Sequence, residues 1–311
     1  MKKKLMLLLT SLLTFIILAT GCSDDTSQTN KSDSLITVTT TIGQIADIVE
    51  NVGGEYVEVT PLMGPGIDPH LFQASQGDIK KLSEADIIFY NGLHLEGKMN
   101  EIFEKMRAEK PTYAVSETVP EDMLLAKPGD TKAIDPHVWF DTELWAYSVK
   151  AVSEGLAQLD PEHADTYHAN AEKYIDTLKE IRAYAEEQLA QIPEESRVLV
   201  TAHDAFGYFG EAYGIEVMGL QGLSTDSEYG LKDVQNLVDL LVDRKIKAVF
   251  IESSISEKSI NAVVEGAKEE EHEVIIGGSL YSDAMGEQGT EEGTYEGMYM
   301  HNIDTIVSAL K

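Results

Sequence analysis

Three histidines and one aspartate in this chain have the residue types and surroundings of metal ligands. The tetrapeptide Ile-Asp-Pro-His occurs twice and ends on His70 and again on His137. His203 directly follows the apolar run Arg-Val-Leu-Val-Thr-Ala, and Asp283 lies in the run Tyr-Ser-Asp-Ala-Met-Gly. Three neutral imidazoles and one ionised carboxylate make a plausible set of four ligands for a divalent metal ion.

The residues that precede the two repeated histidines restrict the local backbone. Proline fixes its own φ and biases the aspartate before it, Asp68 or Asp135, toward extended geometry. Such a loop would hold His70 and His137 firmly. The carboxylates of Asp68 and Asp135 are also candidates to accept a hydrogen bond from an imidazole N–H and so orient the ring.

The remaining histidines are interpreted as surface or structural residues. Among them, His94 directly follows a predicted strand, so its position is the one most similar to that of a metal ligand. Asp141 is predicted to cap the helix that follows it, and Trp139 and Phe140 are predicted to be core or pocket-wall residues. The other excluded histidines are His163, His168, His272 and His301.

Alternating strand and helix patterns fill the chain from Leu35 onward. β-Branched and apolar runs alternate with amphipathic stretches through short links, which is typical of a parallel sheet covered by helices. We predict an α/β protein of two lobes, each a parallel sheet flanked by helices, at 35–160 and 194–311. Residues 161–193 contain no glycine and have proline only at their ends, which predicts one long rigid linking helix of about 45 Å.

This organisation places all four candidate ligands at comparable points of the two sheets. Ligands of open parallel sheets bind outside the carboxyl ends of the strands. His70 lies in a loop after a predicted strand, His137 lies just before a helix, His203 ends a strand, and Asp283 follows one. Two of the four belong to each lobe, so a site that used all of them would lie between the lobes.

The charge balance excludes several classes of partner. The chain has 54 acidic and 24 basic residues, a formal net charge of −30. Nucleic-acid binding requires clustered lysine and arginine, so a nucleic acid is not expected as a partner. The same acidity argues against a surface that lies flat on an anionic membrane.

The first residues have the pattern of a targeting segment. A basic Met-Lys-Lys-Lys start is followed by the apolar run 5–19 and then by Thr-Gly-Cys, which resembles a bacterial lipoprotein signal. We therefore predict a signal peptide at 1–21, lipid attachment at Cys22 and a polar, flexible tether at 22–34. The expected location is the extracytoplasmic face of the cell membrane, and the single cysteine excludes a disulfide within the chain.

Four motifs together resemble one protein family. In order along the chain they are GIDPHLF, DPHVWFD, TAHDAFGYFG and YSDAMG, and they are similar to motifs of the metal-binding lipoproteins of bacterial manganese and zinc ABC importers. The resemblance implies two lobes joined by a long helix and one divalent metal ion in the cleft. It also implies a receptor rather than an enzyme, expected to be a monomer, whose partners are an ABC permease and its ATPase subunit. The implied ligands are His70, His137, His203 and Asp283.

Three features bear on which metal is bound. Zinc-type members often carry a histidine-rich loop before the second ligand, whereas 117–133 contains no histidine here. The run FIESSISEKS at 250–259 resembles the manganese-type branch. His203 stands where many manganese-type members have glutamate, which leaves zinc open. We expect Mn²⁺, with Zn²⁺ as the alternative.

Two other functions remain as rival hypotheses. A metallohydrolase would use an open metal position to activate water, with Asp68 or Glu252 as the general base. A surface adhesin is the second rival, because some similar proteins have been described in that way.

Overall fold

The computed structural model describes residues 35–127 and 130–311. The predicted signal peptide, Cys22 and the predicted tether all lie outside these residues. None of the described helices combines the length and the apolar character needed to cross a membrane.

The first lobe contains a four-stranded parallel sheet with the spatial order β2-β1-β3-β4. Every side chain of β3 is buried, as expected for a strand with helices on both faces. The elements of this sheet and its helices are β1 (Ile36–Thr40), α1 (Gly43–Gly53), β2 (Val57–Pro61), α2 (Gln76–Glu84), β3 (Ile87–Tyr90), α3 (Asn100–Glu109) and β4 (Thr112–Ala114).

A small antiparallel hairpin follows the first sheet and was not predicted from the sequence. It pairs β5 (Ala126–Lys127) with β6 (Asp130–Ile134), and α4 (Thr142–Leu159) comes next. The carboxylate of Asp141 accepts hydrogen bonds from the backbone N–H groups at the start of α4, so the predicted cap is confirmed.

The long linking helix is present but shorter than predicted. A 3₁₀ turn at Pro161–His163 leads into α5 (Ala164–Leu189), and 26 residues correspond to a length of about 39 Å. The helix ends four residues before the predicted stop. A buried stripe at helical spacing faces the rest of the protein, and it consists of Tyr167, Ala171, Tyr174, Leu178, Ile181 and Ala185.

The second lobe repeats the arrangement of the first. Strands β7 and β8 pair in parallel, β9 and β10 pair in parallel, and β7 lies beside β9, which gives the order β8-β7-β9-β10. Its elements are β7 (Val198–His203), α6 (Gly207–Tyr213), β8 (Glu216–Gln221), α7 (Leu231–Arg244), β9 (Ala248–Glu252), α8 (Lys258–Glu269), β10 (Ile275–Leu280) and α9 (Tyr295–Leu310).

The two-lobed α/β prediction is therefore confirmed. In each lobe the strand order reverses between the first and the third strand, and the ligand crevice of such sheets lies at this point. The lobe boundaries given above from the sequence stay predictions.

A hydrophobic cluster extends from the first lobe and the linking helix into the second lobe, which also has a smaller core of its own around β7 and α7. The Tyr295 hydroxyl in α9 donates to the carbonyl of Trp139 at 2.6 Å, and the Tyr299 hydroxyl donates to the carbonyl of Phe140 at 2.7 Å. The rings of Phe140 and Phe206 lie 4.4 Å apart between centroids. All five aromatic residues belong to a single buried cluster that also includes α5. Wide separation of the lobes would expose this cluster to water.

One buried carboxyl connects the first lobe with the linking helix. The Tyr174 hydroxyl in α5 donates to Asp47 in α1 at 2.5 Å. Burial raises the pKa of Asp47 to about 6, although hydrogen bonds from Tyr174 and the Tyr295 backbone oppose this. The nearby charges of Glu50 and Glu296 add to the increase. Asp47 is therefore more easily protonated in the folded chain than in the unfolded chain.

We predict that Asp47→Asn makes the protein more stable near neutral pH. Because the folded pKa is the higher one, the stability that Asp47 contributes is fully present below about pH 4 and is lost as the pH rises through about 6. The free energy of unfolding of the variant should exceed that of the wild type by an amount that grows over this pH interval toward about 3 kcal/mol. Urea unfolding from pH 5 to pH 8 measures it. Asp239→Asn, an exposed change, should give a flat difference, and a flat difference for Asp47→Asn would contradict the prediction.

Candidate metal centre

The four predicted ligands lie at the carboxyl ends of strands from both lobes. His203 is the last residue of β7, and Asp283 follows the end of β10 after two residues. His70 lies in the loop between β2 and α2, and His137 lies between β6 and the start of α4. The sheets therefore deliver all four side chains to the crevice between the lobes.

The two Ile-Asp-Pro-His sequences fold into the same turn. The backbone N–H of His70 donates to Asp68 Oδ1 at 2.9 Å, and the backbone N–H of His137 donates to Asp135 Oδ1 at 2.9 Å. An aspartate that accepts from a backbone two residues later closes a compact turn, and the proline between them fixes its shape. Each Ile-Asp-Pro-His sequence thus forms a stiff loop whose last residue is a proposed ligand.

The side chains of these four residues converge on one point. His70 Nε2 lies 3.3 Å from His137 Nε2. The Asp283 carboxylate oxygens lie 3.4 Å from His137 Nε2, 3.5 Å from His203 Nε2 and 3.7 Å from His70 Nε2. One donor atom from each residue can be chosen so that all four lie within 4.8 Å of one another. All four residues are buried, with at most 3% of the surface of each exposed.

This geometry suits a metal ion. Four ligands at ~2.0–2.1 Å in a tetrahedron lie about 3.3–3.4 Å apart, and three of the four separations are within ~0.2 Å of that value. Within the described residues, His203 Nε2 and both Asp283 oxygens are buried without a hydrogen-bond partner. Buried polar atoms normally have a partner, and a metal ion would serve that purpose for all three.

Two of the three imidazoles are held by a carboxylate on their far side. Asp135 Oδ1 lies 2.7 Å from His137 Nδ1. Glu252 Oε2 lies 2.6 Å from His203 Nδ1, and Glu252 Oε1 accepts from the His203 backbone N–H at 2.9 Å. The carboxylate fixes a proton on Nδ1 and leaves Nε2 facing the central point, where it can bind a metal ion after losing its own proton, which is the usual support of a metal-binding histidine.

Glu252 is the residue that the sequence analysis missed in this role. It ends β9, which lies beside β7 and His203, so its contact with His203 depends on strand adjacency that the sequence did not reveal. The signal that could have found it is its position at the carboxyl end of a predicted strand in the same lobe as His203.

The expectation for Asp68 needs correction. Its carboxylate accepts from the His70 backbone and, through Oδ2, from Thr225 Oγ1 at 2.6 Å, but not from an imidazole. His70 Nδ1 is buried and has no hydrogen-bond partner among the described residues. The carboxylate of Asp68 is instead directed toward Thr225 of the second lobe. His70 is consequently the least supported of the three rings.

The first lobe also positions the ligand of the second lobe. The carbonyl of Ser282, next to Asp283, accepts from the Trp139 indole N–H at 3.1 Å and from Gln44 Nε2 at 3.3 Å. The Trp139 ring lies edge to face against His137, with centroids 5.2 Å apart. Trp139 is therefore a wall of the site, as predicted, and it also fixes the backbone that carries Asp283.

The ionisation of the buried groups follows from their mutual charges. Burial alone would raise the pKa of Asp283, but His203, His137 and His70 hold it well below its usual range. Burial alone would lower the pKa of His137, but Asp135 and Asp283 raise it to about 9. The centre therefore contains an ionised Asp283.

The other two imidazoles shift in opposite directions. Burial would lower the pKa of His203, but the charges of Glu252 and Asp283 raise it well above the usual value. Burial lowers the pKa of His70 to about 3, and the charges of His137 and His203 add to the decrease although Asp283 opposes it. His70 therefore remains a neutral donor at physiological pH.

The centre as a whole is rich in buried negative charge. Asp135, Glu252 and Asp283 are all buried, and in the described chain their ion pairs are with histidines and not with lysine or arginine. Buried charge requires compensation. A divalent cation among the three imidazoles supplies it, so the centre has the chemistry of a cation-binding site.

Two α/β lobes with a buried three-histidine, one-aspartate centre between them define a two-lobed metal-binding protein. Residues 38–309 match the family ZnuA, described as zinc-uptake complex component A, periplasmic. The manganese-binding lipoprotein MntA of Bacillus subtilis (strain 168) is 58% identical over 292 residues, which cover 94% of this chain and 95% of that protein.

A second relative and its solved structure agree with this match. The zinc-binding protein TroA of Treponema pallidum (strain Nichols) is 51% identical over 273 residues, which cover 88% of each chain. The structure of the periplasmic zinc-binding protein TroA from Treponema pallidum matches with a TM-score of 0.86 at 50% identity, covering 89% of this chain and 99% of that one. The chain belongs to this family of solute-binding proteins of manganese and zinc ABC importers, and the resemblance seen in its four motifs is confirmed.

We predict that Glu252→Gln weakens binding of a divalent metal ion by about 10–100-fold. The amide cannot hold the His203 ring by a charge-assisted hydrogen bond, so the Nε2 lone pair is less well directed and less basic. Competition with a fluorescent chelator measures the affinity. Glu257→Gln, an exposed change five residues later, is the control and should leave affinity unchanged. Equal affinities for the Glu252→Gln variant and the wild type would contradict the role of Glu252 in orienting the His203 ring.

Proposed function

We propose that this protein is an extracytoplasmic receptor that binds one Mn²⁺ ion and delivers it to an ABC permease driven by an ATPase subunit. The observation that carries the proposal is the convergence of three imidazole nitrogens and one carboxylate on a buried point between the lobes. Membership of a solute-binding family, and 58% identity to a manganese-binding lipoprotein, support the same function.

The proposed ligands are His70, His137, His203 and Asp283. The two oxygens of Asp283 face different nitrogens, since Oδ1 lies 3.4 Å from His137 Nε2 and Oδ2 lies 3.5 Å from His203 Nε2. A carboxylate placed in this way can bind through both oxygens and raise the donor number to five. Structural zinc sites are almost always four-coordinate, whereas Mn²⁺ favours carboxylate oxygens and larger donor sets. The arrangement of Asp283 therefore supports Mn²⁺.

Zn²⁺ is the second candidate, and specific observations favour it. The donor separations are close to tetrahedral, and a relative of 51% identity is named as zinc-binding. Affinity for nitrogen and oxygen sites also rises from Mn²⁺ toward Zn²⁺. Tight zinc binding by the purified protein would consequently not identify the ion that is transported, and transport has to be measured.

The structure supports a receptor rather than a metallohydrolase. The two carboxylates proposed as general bases in that rival already accept hydrogen bonds, Asp68 from Thr225 and Glu252 from His203. At most 3% of the surface of each ligand is exposed, which restricts the access of a substrate to the centre. We expect the protein to act as a monomer. The shared aromatic core makes ion release depend on local loop movement and not on wide opening of the lobes.

We predict that cells lacking this protein lose most of their Mn²⁺ uptake at low external manganese and keep their Zn²⁺ uptake. The wild-type chain should restore uptake and His137→Ala should not, because a ligand is lost and buried carboxylate charge is left uncompensated. His301→Ala, at a half-buried histidine outside the centre, is the matched control and should restore uptake fully. Radioactive ion uptake provides the measurement. Loss of Zn²⁺ uptake instead would make the protein a zinc receptor.

We predict that Cys22→Ser releases the protein from the membrane. The thiol is the proposed site of lipid attachment, and stable anchoring through lipid requires more than one acyl chain. Cell fractionation and labelling with a radioactive fatty acid measure attachment. The released variant should bind metal like the wild type, because Cys22 lies outside the described residues that form the site. A variant that stays in the membrane fraction would refute lipid anchoring at this residue.

A further inference from the structure

A cavity of about 290 Å³ adjoins the metal centre between the two lobes. His70, His94 and Pro136 of the first lobe contribute to its wall, as do Leu223, Ser224 and Ser227 of the second. His70 is the only one of the four proposed ligands among the residues that line it. The cavity therefore meets the centre at one particular ligand.

That ligand is the one most able to move. The rings of His137 and His203 are each held by a carboxylate at 2.6–2.7 Å, whereas His70 Nδ1 is buried without a partner in the described chain. Rotation of His70 would break only the contact of its Nε2 with the centre, where His137 Nε2 lies 3.3 Å away, while rotation of the other two would also break a charge-assisted bond at Nδ1. Movement of His70 toward the cavity would open the centre on that side.

A second imidazole lies at the outer part of the same cavity. His94 is exposed, and its one ring hydrogen bond within the described chain joins Nδ1 to Asn100 Nδ2 at 3.4 Å. Leu93 and His94 both have left-handed backbone, with φ of 51° and 66°. This conformation is unfavourable for side chains other than glycine and asparagine, and here it holds an imidazole at the mouth of a cavity that leads to His70.

Segment 224–227 of the second lobe, which contributes Ser224 and Ser227 to the cavity wall, makes two polar contacts with the first lobe. Lys98 Nζ lies 2.9 Å from Asp226 Oδ2, and Thr225 Oγ1 donates to Asp68 Oδ2 at 2.6 Å. These bonds hold segment 224–227 of the second lobe against the first. The Lys98–Asp226 pair is largely exposed, and pairs of this kind contribute little stability. The segment can therefore move without disturbing the shared aromatic core.

We propose that the metal ion reaches and leaves the buried centre through this cavity, with His94 as a transient outer ligand and His70 as the inner ligand that moves. The proposal rests on the function proposed above. A divalent ion must exchange its water molecules for protein ligands in steps, and an imidazole on the path lowers the barrier of such a step. A ligand that acts only on the barrier changes the two rates equally and leaves the equilibrium affinity unchanged.

The test replaces His94 by asparagine, which tolerates left-handed backbone, and separately by glycine. Stopped-flow mixing with Zn²⁺ and with Mn²⁺ gives the association rate, and transfer to a fluorescent chelator gives the dissociation rate. Both rates should fall about tenfold, equivalent to ~1.4 kcal/mol of transition-state stabilisation. The dissociation constant should stay within about twofold, since the four inner ligands are unchanged. His301→Asn is the matched control and should alter neither rate.

Rates equal to those of the wild type in both His94 variants would overturn the proposal. A weaker equilibrium affinity with an unchanged association rate would also overturn it, because His94 would then be a permanent ligand. Neither result would bear on the receptor function, which fails only if the wild-type chain binds no ion or if its loss leaves metal uptake intact. The two failures are therefore distinguishable.

Discussion

The constraint on which this structure depends is the burial of several carboxylates without a lysine or arginine to neutralise them. Asp283, Asp135 and Glu252 surround three imidazoles, and no basic side chain of the described residues pairs with them. Charge in such a place is costly unless it is paired. The imidazoles satisfy part of this requirement with their outer N–H groups, and a divalent cation at the centre would satisfy the rest. The buried negative charge that is unfavourable without a cation is the same charge that favours the binding of one.

The geometry of the centre is set by the way in which the lobes dock. Tyr295 and Tyr299 of the second lobe hold the carbonyls that follow His137, while Trp139 and Gln44 of the first lobe hold the carbonyl that precedes Asp283. Each lobe thus positions a ligand of the other. Because these bonds lie in or beside a shared aromatic core, the distances between donors are as stiff as the core itself.

The two lobes have the same arrangement of strands, but their two Ile-Asp-Pro-His turns differ in the contacts of the aspartate. The strands of the two lobes lie in the same relative order, although β7 and β9 lie side by side without a shared hydrogen-bond ladder, and both Ile-Asp-Pro-His turns have the same backbone hydrogen bond. The difference lies in the aspartate. Asp135 Oδ1 lies 2.7 Å from Nδ1 of His137, whereas Asp68 Oδ2 accepts a hydrogen bond from Thr225 of the other lobe. One ligand is therefore held by a carboxylate at its outer nitrogen and the other is not, and the proposed path of the ion enters on the side of the second one.

By itself, the sequence determined the alternation of strands and helices, the helix cap at Asp141, the long linking helix and the four residues that converge. These follow from local periodicity, from proline and glycine positions, and from the rule that ligands lie at strand ends. Family resemblance added the metal and the partners. The sequence did not reveal the hairpin at 126–134 or the end of α5 at Leu189, because short strands and helix ends depend on weak local preferences. Only the tertiary structure decided that Glu252 supports His203 across 49 residues of chain. It also decided that Asp68 bonds across the lobes and that His70 has no support. These are contacts between segments far apart in sequence, and no local pattern encodes which of several available carboxylates will reach a given ring.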